Sequence, residues 1–367
     1  MATETLLAAM LRAHDQVSDL IFSPGRLPQV EIHGRLIDVQ SPGLSPLGAD
    51  DTRRIASDLI GNNKQAIATL REQGSCDVSY GLSGMARFRV NVFIQRGSCA
   101  VVMRVIPTAI PDLATLGLPS HLGEIAALRD GMVLVTGPRG SGKSSTLAAL
   151  LDLINRQQIC HIITIEDPIE FLHNHRRATV HQRELHSDTP SMPLALRAAL
   201  RQAPNVIFVS EVRDRDTAEI ALEAAETGHL VLASLNTLDV AQTLERLAGL
   251  FSTPEQNSIR SRLAKTLRYV ISQRLIPRRD GRGRVLVAEI LKLRPGILEW
   301  KGNEVLPETV LQILKNGTAE GMQHFDGEIE KLVRANVVDW DTAMTYAVNS
   351  EQLRHSLADI RRPRSAR

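Results

Sequence analysis

Eight residues carry the strongest chemical signal in the chain: Gly137-Pro138-Arg139-Gly140-Ser141-Gly142-Lys143-Ser144. Their spacing is GxxxxGK[ST], in which glycines let backbone N–H groups turn inward around a chain of phosphates. Lys143 adds a point charge near the β- and γ-phosphates, Ser144 offers a hydroxyl to Mg²⁺, and Ser145 continues the cofactor-binding stretch. Hydrolysis of a bound nucleotide also needs a carboxylate near the metal and a group that orients or deprotonates water. Glu211 is the metal-side candidate, with Ser144 as the other protein group at the ion. The loop Thr164-Ile165-Glu166-Asp167-Pro168-Ile169-Glu170 supplies three further acids. The pattern alone leaves His229 open between a structural and a catalytic role. His173, His175, His181 and His186 are too loosely spaced, and too far from any cysteine pair, to predict a metal site. Arg87, Arg89, Arg96 and Arg104 could solvate a strand face, or one could neutralise transition-state charge in a neighbouring subunit.

These residues need elements to position them. The apolar run Met132–Thr136 predicts a strand entering the glycine segment, and Leu147, Leu150, Leu151 and Ile154 predict a helix leaving it. Further buried strands are predicted at His161–Ile165, Val206–Val209 and Leu230–Ser234, with helices between them. That alternation predicts a parallel sheet covered on both faces, with ligands in the crevice past the carboxyl ends of the strands. The N-terminal part reads as α+β. It has a helix over Glu4–Asp15, strands at Asp19–Ser23, Gln29–Ile32 and Arg35–Val39, and a loop at Ser41–Pro46. One helix is then predicted over about 50–72, followed by strands at Asp77–Tyr80, Ala86–Gln95 and Ala100–Ile106. Pro107, Pro111 and Pro119 mark the junction, which gives domains of 1–115 and 116–367. The chain from about Arg294 onward reads as mostly helical.

Composition bounds the partners. Charged residues make up 23% and the net charge is +2, so no strong field draws the chain to nucleic acid. Aromatics at 3% are too few for a base-stacking platform. Cys76, Cys99 and Cys160 are widely spaced and odd in number, which argues against a disulfide framework and for reduced thiols in a cytosol. With no leader and no long apolar run, membrane association is expected to be peripheral. The basic tail Arg361–Arg367 reads as a solvated terminus.

Taken together, the motifs resemble the secretion ATPase superfamily of type II secretion and type IV pili, in its pilus-retraction (PilT/PilU) branch. The likeness runs from Ser18-Asp19-Leu20 through Ala86–Phe93 to Gly321-Met322-Gln323. Thr164–Phe171 looks like the family's Asp box, Glu211–Asp214 like its Walker B region, and Ala225–Leu230 like the start of its His box. The resemblance implies a RecA-like phosphate-loop ATPase domain of α/β class, preceded by a smaller α+β PAS-like domain. It also implies ATP and Mg²⁺ as cofactors, a homo-hexameric ring and an inner-membrane pilus platform protein as partner. A paralogous motor ATPase is a further implied partner. The function implied is pilin disassembly for twitching motility, at the cytoplasmic face of the inner membrane. The alternatives are an accessory or regulatory nucleotide-binding subunit with weak turnover, or an assembly ATPase. By the same resemblance, Glu170 activates water, Glu211 stands at Mg²⁺, and His229 lies near the γ-phosphate. Arg89 and Arg104 reach the nucleotide between subunits. The chain departs from the pattern at Asn236, where a second His-box histidine is expected, at Ser210 and Arg139, and at Gly296–Trp300, which lacks an expected arginine. No cysteine follows Cys160, which favours the retraction branch over assembly ATPases with their late four-cysteine element.

Overall fold

The computed structural model describes residues 2–13, 17–32, 35–40, 44–107, 109–294 and 307–359. The Gly296–Trp300 departure, the basic tail and the first half of the Ser41–Pro46 loop lie outside the described residues. The chain divides into two compact units. One comprises Met1–Ala109 with Pro168–His173 and Arg183–Pro190. The other comprises Ile110–Asp167, Asn174–Gln182 and Ser191–Arg367.

The first unit opens with α1 (Thr3–Ala13), β1 (Asp19–Phe22), β2 (Gln29–Ile32) and β3 (Arg35–Asp38). It continues with α2 (Ala49–Ile60), α3 (Lys64–Gln73), β4 (Ser75–Leu82), β5 (Ala86–Gln95) and β6 (Ser98–Ile106). The six strands form one antiparallel sheet in the order β3-β2-β1-β6-β5-β4. Strand alternation sorts the side chains. Phe88, Val90 and Val92 enter a core shared with Leu7, Met10 and Phe22, while Arg87, Arg89 and Asn91 face the other way. The single helix expected over about 50–72 is two. Gly61 takes positive φ (56°), and Asn63 restarts the chain by accepting the Ala66 N–H at 3.0 Å. A glycine free to reverse the backbone, followed by an N-cap amide, outweighs the continuous apolar period.

The second unit begins with a 3₁₀ helix (Ser120–Ala127), β7 (Gly131–Thr136), α4 (Lys143–Gln157), β8 (His161–Glu166) and β9 (Thr179–Glu184), of which Arg183 and Glu184 count with the first unit. Then come α5 (Met192–Ala199), β10 (Val206–Val209), α6 (Arg215–Glu226), β11 (Leu230–Leu235), α7 (Val240–Ala248) and α8 (Thr253–Thr266). The last strands and helices are β12 (Leu267–Pro277), β13 (Arg284–Lys292), α9 (Pro307–Asn316), α10 (Phe325–Arg334), α11 (Trp340–Tyr346) and α12 (Ser350–Ser356). The sheet order is β13-β12-β7-β11-β10-β8-β9. Strands β12, β7, β11, β10 and β8 are parallel neighbours, and β13 returns antiparallel on β12. Every residue of β7, β10 and β11 is buried, as strands covered on both faces require. Strand β9 and the hairpin β12–β13 add three strands to the four expected in this part of the chain. The short helices α10 to α12 cover Ile276 and Val287 on that hairpin through Phe325, Ile329 and Leu353.

Strand β13 also buries Glu289, whose Oε1 accepts the Val240 N–H at 2.8 Å at the start of α7. Burial raises its pKa from 4.5 to about 7, against the pull of that N–H. A carboxyl whose folded pKa lies above its unfolded one binds its proton more tightly when folded. Its contribution to stability is therefore full below pH 4.5 and is lost as pH rises to about 7. The loss is on the order of 3 kcal/mol. Glu289→Gln keeps an acceptor for Val240 and cannot ionise. Thermal denaturation should therefore show the variant more stable than wild type at pH 8, with the difference vanishing below pH 4.5.

Candidate nucleotide-binding site

The glycine segment leaves the carboxyl end of β7, a central strand, and turns directly into α4. Its turn depends on glycine: Gly137, Gly140 and Gly142 all have positive φ (147°, 76° and 94°). At Gly137 a Cβ would lie 2.4 Å from the Gln273 carbonyl oxygen and 2.5 Å from Ser141 Oγ, so only glycine fits. At Gly140 and Gly142 the space is open. Gly142 stands at the N-cap of α4 with no side chain to satisfy the first-turn N–H groups. Those donors and the helix dipole favour an anion. Ser141 Oγ is buried without a hydrogen-bond partner among the described residues. Lys143 Nζ donates to the carbonyls of Gly137 (2.7 Å) and Pro138 (3.0 Å), which folds the ammonium over the loop. Ser144 and Ser145 are half-buried, and Pro138 and Arg139 are exposed. Open backbone donors, an orphan hydroxyl and a cation on the loop fit a chain of phosphates.

A network of hydroxyls and an amide holds this loop from behind. Thr136 Oγ1 is 2.8 Å from Ser272 Oγ and 3.3 Å from Thr243 Oγ1, and Gln273 Nε2 donates to Thr146 Oγ1 at 2.8 Å. Sequence reasoning missed Ser272 and Gln273 because it did not assign β12. The aromatic and β-branched run Tyr269-Val270-Ile271 was the available signal.

The acids gather two and three strands further on, past β10 and β8. Glu211 lies just past β10, and its flanking residues are tied to both neighbouring strands. The Ser210 N–H donates to Ile165 O (3.0 Å) and the Val212 N–H to Ser234 O (2.9 Å). Glu211 Oε2 accepts from Arg213 Nε at 2.8 Å, and Oε1 accepts from Asn236 Nδ2. Arg213 Nη1 also donates to Asp167 Oδ2 at 3.2 Å. Asp167, Glu211, Asn236 and the glycine loop therefore follow β8, β10, β11 and β7, four successive strands of the sheet. Glu166 is buried and accepts from Thr164 Oγ1 (2.7 Å) and Gln182 Nε2 (2.9 Å), which makes it part of the support. Among the described residues no group of three or more His, Cys, Asp and Glu could hold a metal ion. Glu211 and the Ser144 hydroxyl nonetheless suit a Mg²⁺ ion, which is usually held by one or two carboxylates plus nucleotide phosphates.

Other expected residues are placed elsewhere. His229 precedes β11, and its carbonyl accepts the Gly131 N–H at the start of β7. The glycine loop begins after Thr136, opposite Leu235. Six parallel residues put His229 and the loop about 20 Å apart, at opposite ends of the sheet. Its Nδ1 lies 3.0 Å from Ala224 O, a contact that pins the α6–β11 turn. The expected approach of His229 to the phosphates within one chain is therefore not found, because the strand it introduces separates the two. Asn236, at the far end of that strand, takes the place at the site. Glu170 is exposed and belongs to the first compact unit.

In that unit Arg89 faces Arg104 across the β5–β6 pair. Arg104 Nε donates to buried Asp19 at 3.0 Å, although its own side chain is 73% exposed. Arg87 is committed to the 5%-exposed Glu184 at 3.0 Å, which separates it from the other two. Arg89 is exposed and forms no ion pair with a described residue.

A glycine-turned loop between a central parallel strand and a helix N-terminus, with acids on the neighbouring strands, defines a phosphate-loop protein of RecA-like α/β class. The chain belongs to the type II/IV secretion system protein family, whose model matches residues 44–357. It is 40% identical over 326 residues to a twitching motility protein of Neisseria gonorrhoeae, covering 89% of this chain and 86% of that one. It is 36% identical over 358 residues to the type IV pilus ATPase PilU of Pseudomonas aeruginosa, covering 96% and 91%. The crystal structure of the pilus retraction motor PilT with bound ADP superposes with a TM-score of 0.81 at 35% identity, covering 97% of this chain and 99% of that one.

Proposed function

We propose that the chain is a Mg²⁺-dependent ATPase that forms a homo-hexamer and drives retraction of type IV pili. The observation that carries this is the row of phosphate loop, Asn236, Glu211 and Asp167 along one end of the parallel sheet, in a chain so similar to a retraction motor. The loop from Gly137 to Ser145 holds the phosphate chain of ATP through its backbone N–H groups, Pro138 alone having none to give, with Lys143 moving from its own loop carbonyls to the β- and γ-phosphates. Ser144 and Glu211 hold Mg²⁺, which when bound neutralises charge on the phosphates. Glu170 takes the proton of the attacking water. Arg89 and Arg104 serve the nucleotide of a neighbouring subunit. Like charges opposite each other across a strand pair cost stability, and an anionic phosphate offsets that cost. The platform protein of the pilus base and a paralogous motor are the expected partners, met at the cytoplasmic face of the inner membrane. No helix among the described residues is long and apolar enough to cross a membrane.

The biochemical half of this reading is tested with purified full-length chain. Phosphate release from ATP should require Mg²⁺, stop on chelation with EDTA, and be indifferent to added DNA. ATP binding with no turnover, alone or with a paralogous motor, contradicts it and favours a regulatory subunit.

A further inference from the structure

Two donors of different charge hold Glu211. Arg213 brings a full positive charge to Oε2 at 2.8 Å, whereas Asn236 brings a neutral amide to Oε1. The same guanidinium reaches Asp167 at 3.2 Å, so it bridges the acids that follow two adjacent parallel strands. A divalent cation seeks the same carboxylate lone pairs and is repelled by a guanidinium beside them.

The geometry points to Arg213 as an internal competitor for the divalent cation, balancing Glu211 and Asp167 until it swings out and yields Glu211 to the ion. This rests on the reading of Glu211 as the cation-side carboxylate. Exposure suits the roles. The Arg213 side chain is 60% exposed and can move into water without burying charge, while Glu211 and Asp167 are 22% and 32% exposed and stay on the sheet. Asn236 keeps Glu211 aimed when the guanidinium leaves, because a neutral donor on the other oxygen does not compete by charge. With Arg213 paired, the three charges sum to −1. With Arg213 withdrawn, the two acids present −2 to the cation.

The test is Mn²⁺ affinity of the full-length protein with ADP present, read by water-proton relaxation rather than by turnover. Arg213→Gln removes the competing charge and should bind Mn²⁺ about threefold more tightly than wild type, the scale of one partly exposed ion pair. Arg213→Lys, which keeps the charge but loses the fork between two acids, should fall between them. Glu211→Gln is the control and should bind more weakly. Unchanged or weaker binding by Arg213→Gln, with Glu211→Gln weakened, overturns the competitor role and leaves Glu211 in place. Unchanged binding by Glu211→Gln overturns the reading of Glu211 itself, and the competitor role with it.

Discussion

Glu170→Gln should leave ATP bound and all but abolish its hydrolysis. The carboxamide has nearly the size of the carboxylate and cannot take a proton from water. Loss of a general base costs about 10²- to 10⁴-fold in rate. The side chain is exposed on the segment that follows β8, so the change removes no buried contact and folding should be unaffected. ATP affinity by fluorescent-nucleotide binding should stay within about twofold of wild type, because the interaction lost belongs to the transition state. Turnover near the wild-type rate would remove Glu170 as the base and return the role to the other loop acids, of which Asp167 is already engaged by Arg213.

Lys143→Ala should fail one step earlier. The ammonium is the loop's own cation, held over the Gly137 and Pro138 carbonyls. A charge-assisted bond is worth about 1.5–3 kcal/mol, so its loss should weaken ATP binding on the order of 10- to 100-fold. Turnover should fall below detection at ATP concentrations that saturate wild type. Together the two variants separate binding from chemistry, since one should bind without turning over and the other should scarcely bind. Wild-type ATP affinity in Lys143→Ala would contradict the placement of the phosphates in this loop.

What was legible in the sequence was local. The phosphate loop declares itself because its glycines, lysine and serine are contiguous and lie between an apolar strand and an apolar helix face. Glu211 is legible for the same reason, with only Ser210 between it and the four buried residues of β10. The contacts that tune these residues are not legible, because Asp167, Arg213 and Asn236 come from three separate elements and meet only through strand order. Asn236 stood out as a missing histidine, and the register turns that departure into a contact with Glu211. His229 shows the opposite error. Its motif is close in sequence to the site, yet a six-residue strand carries it to the other end of the sheet. The hairpin β12–β13 escaped because polar Ser272, Gln273 and Arg274 interrupt its apolar pattern, although these residues face the loop network and Tyr346. The helix expected over 50–72 is broken where Gly61 and Asn63 reset the backbone, a local signal that outweighs the longer apolar period.

The central claim is retraction, and the most direct measurement is deletion of the gene, with surface fibres and twitching scored together and restored by the wild-type chain but not by Glu170→Gln. The account predicts excess surface pili with loss of twitching, because fibres are built but not withdrawn. Loss of the fibres themselves would contradict it and assign the chain to assembly.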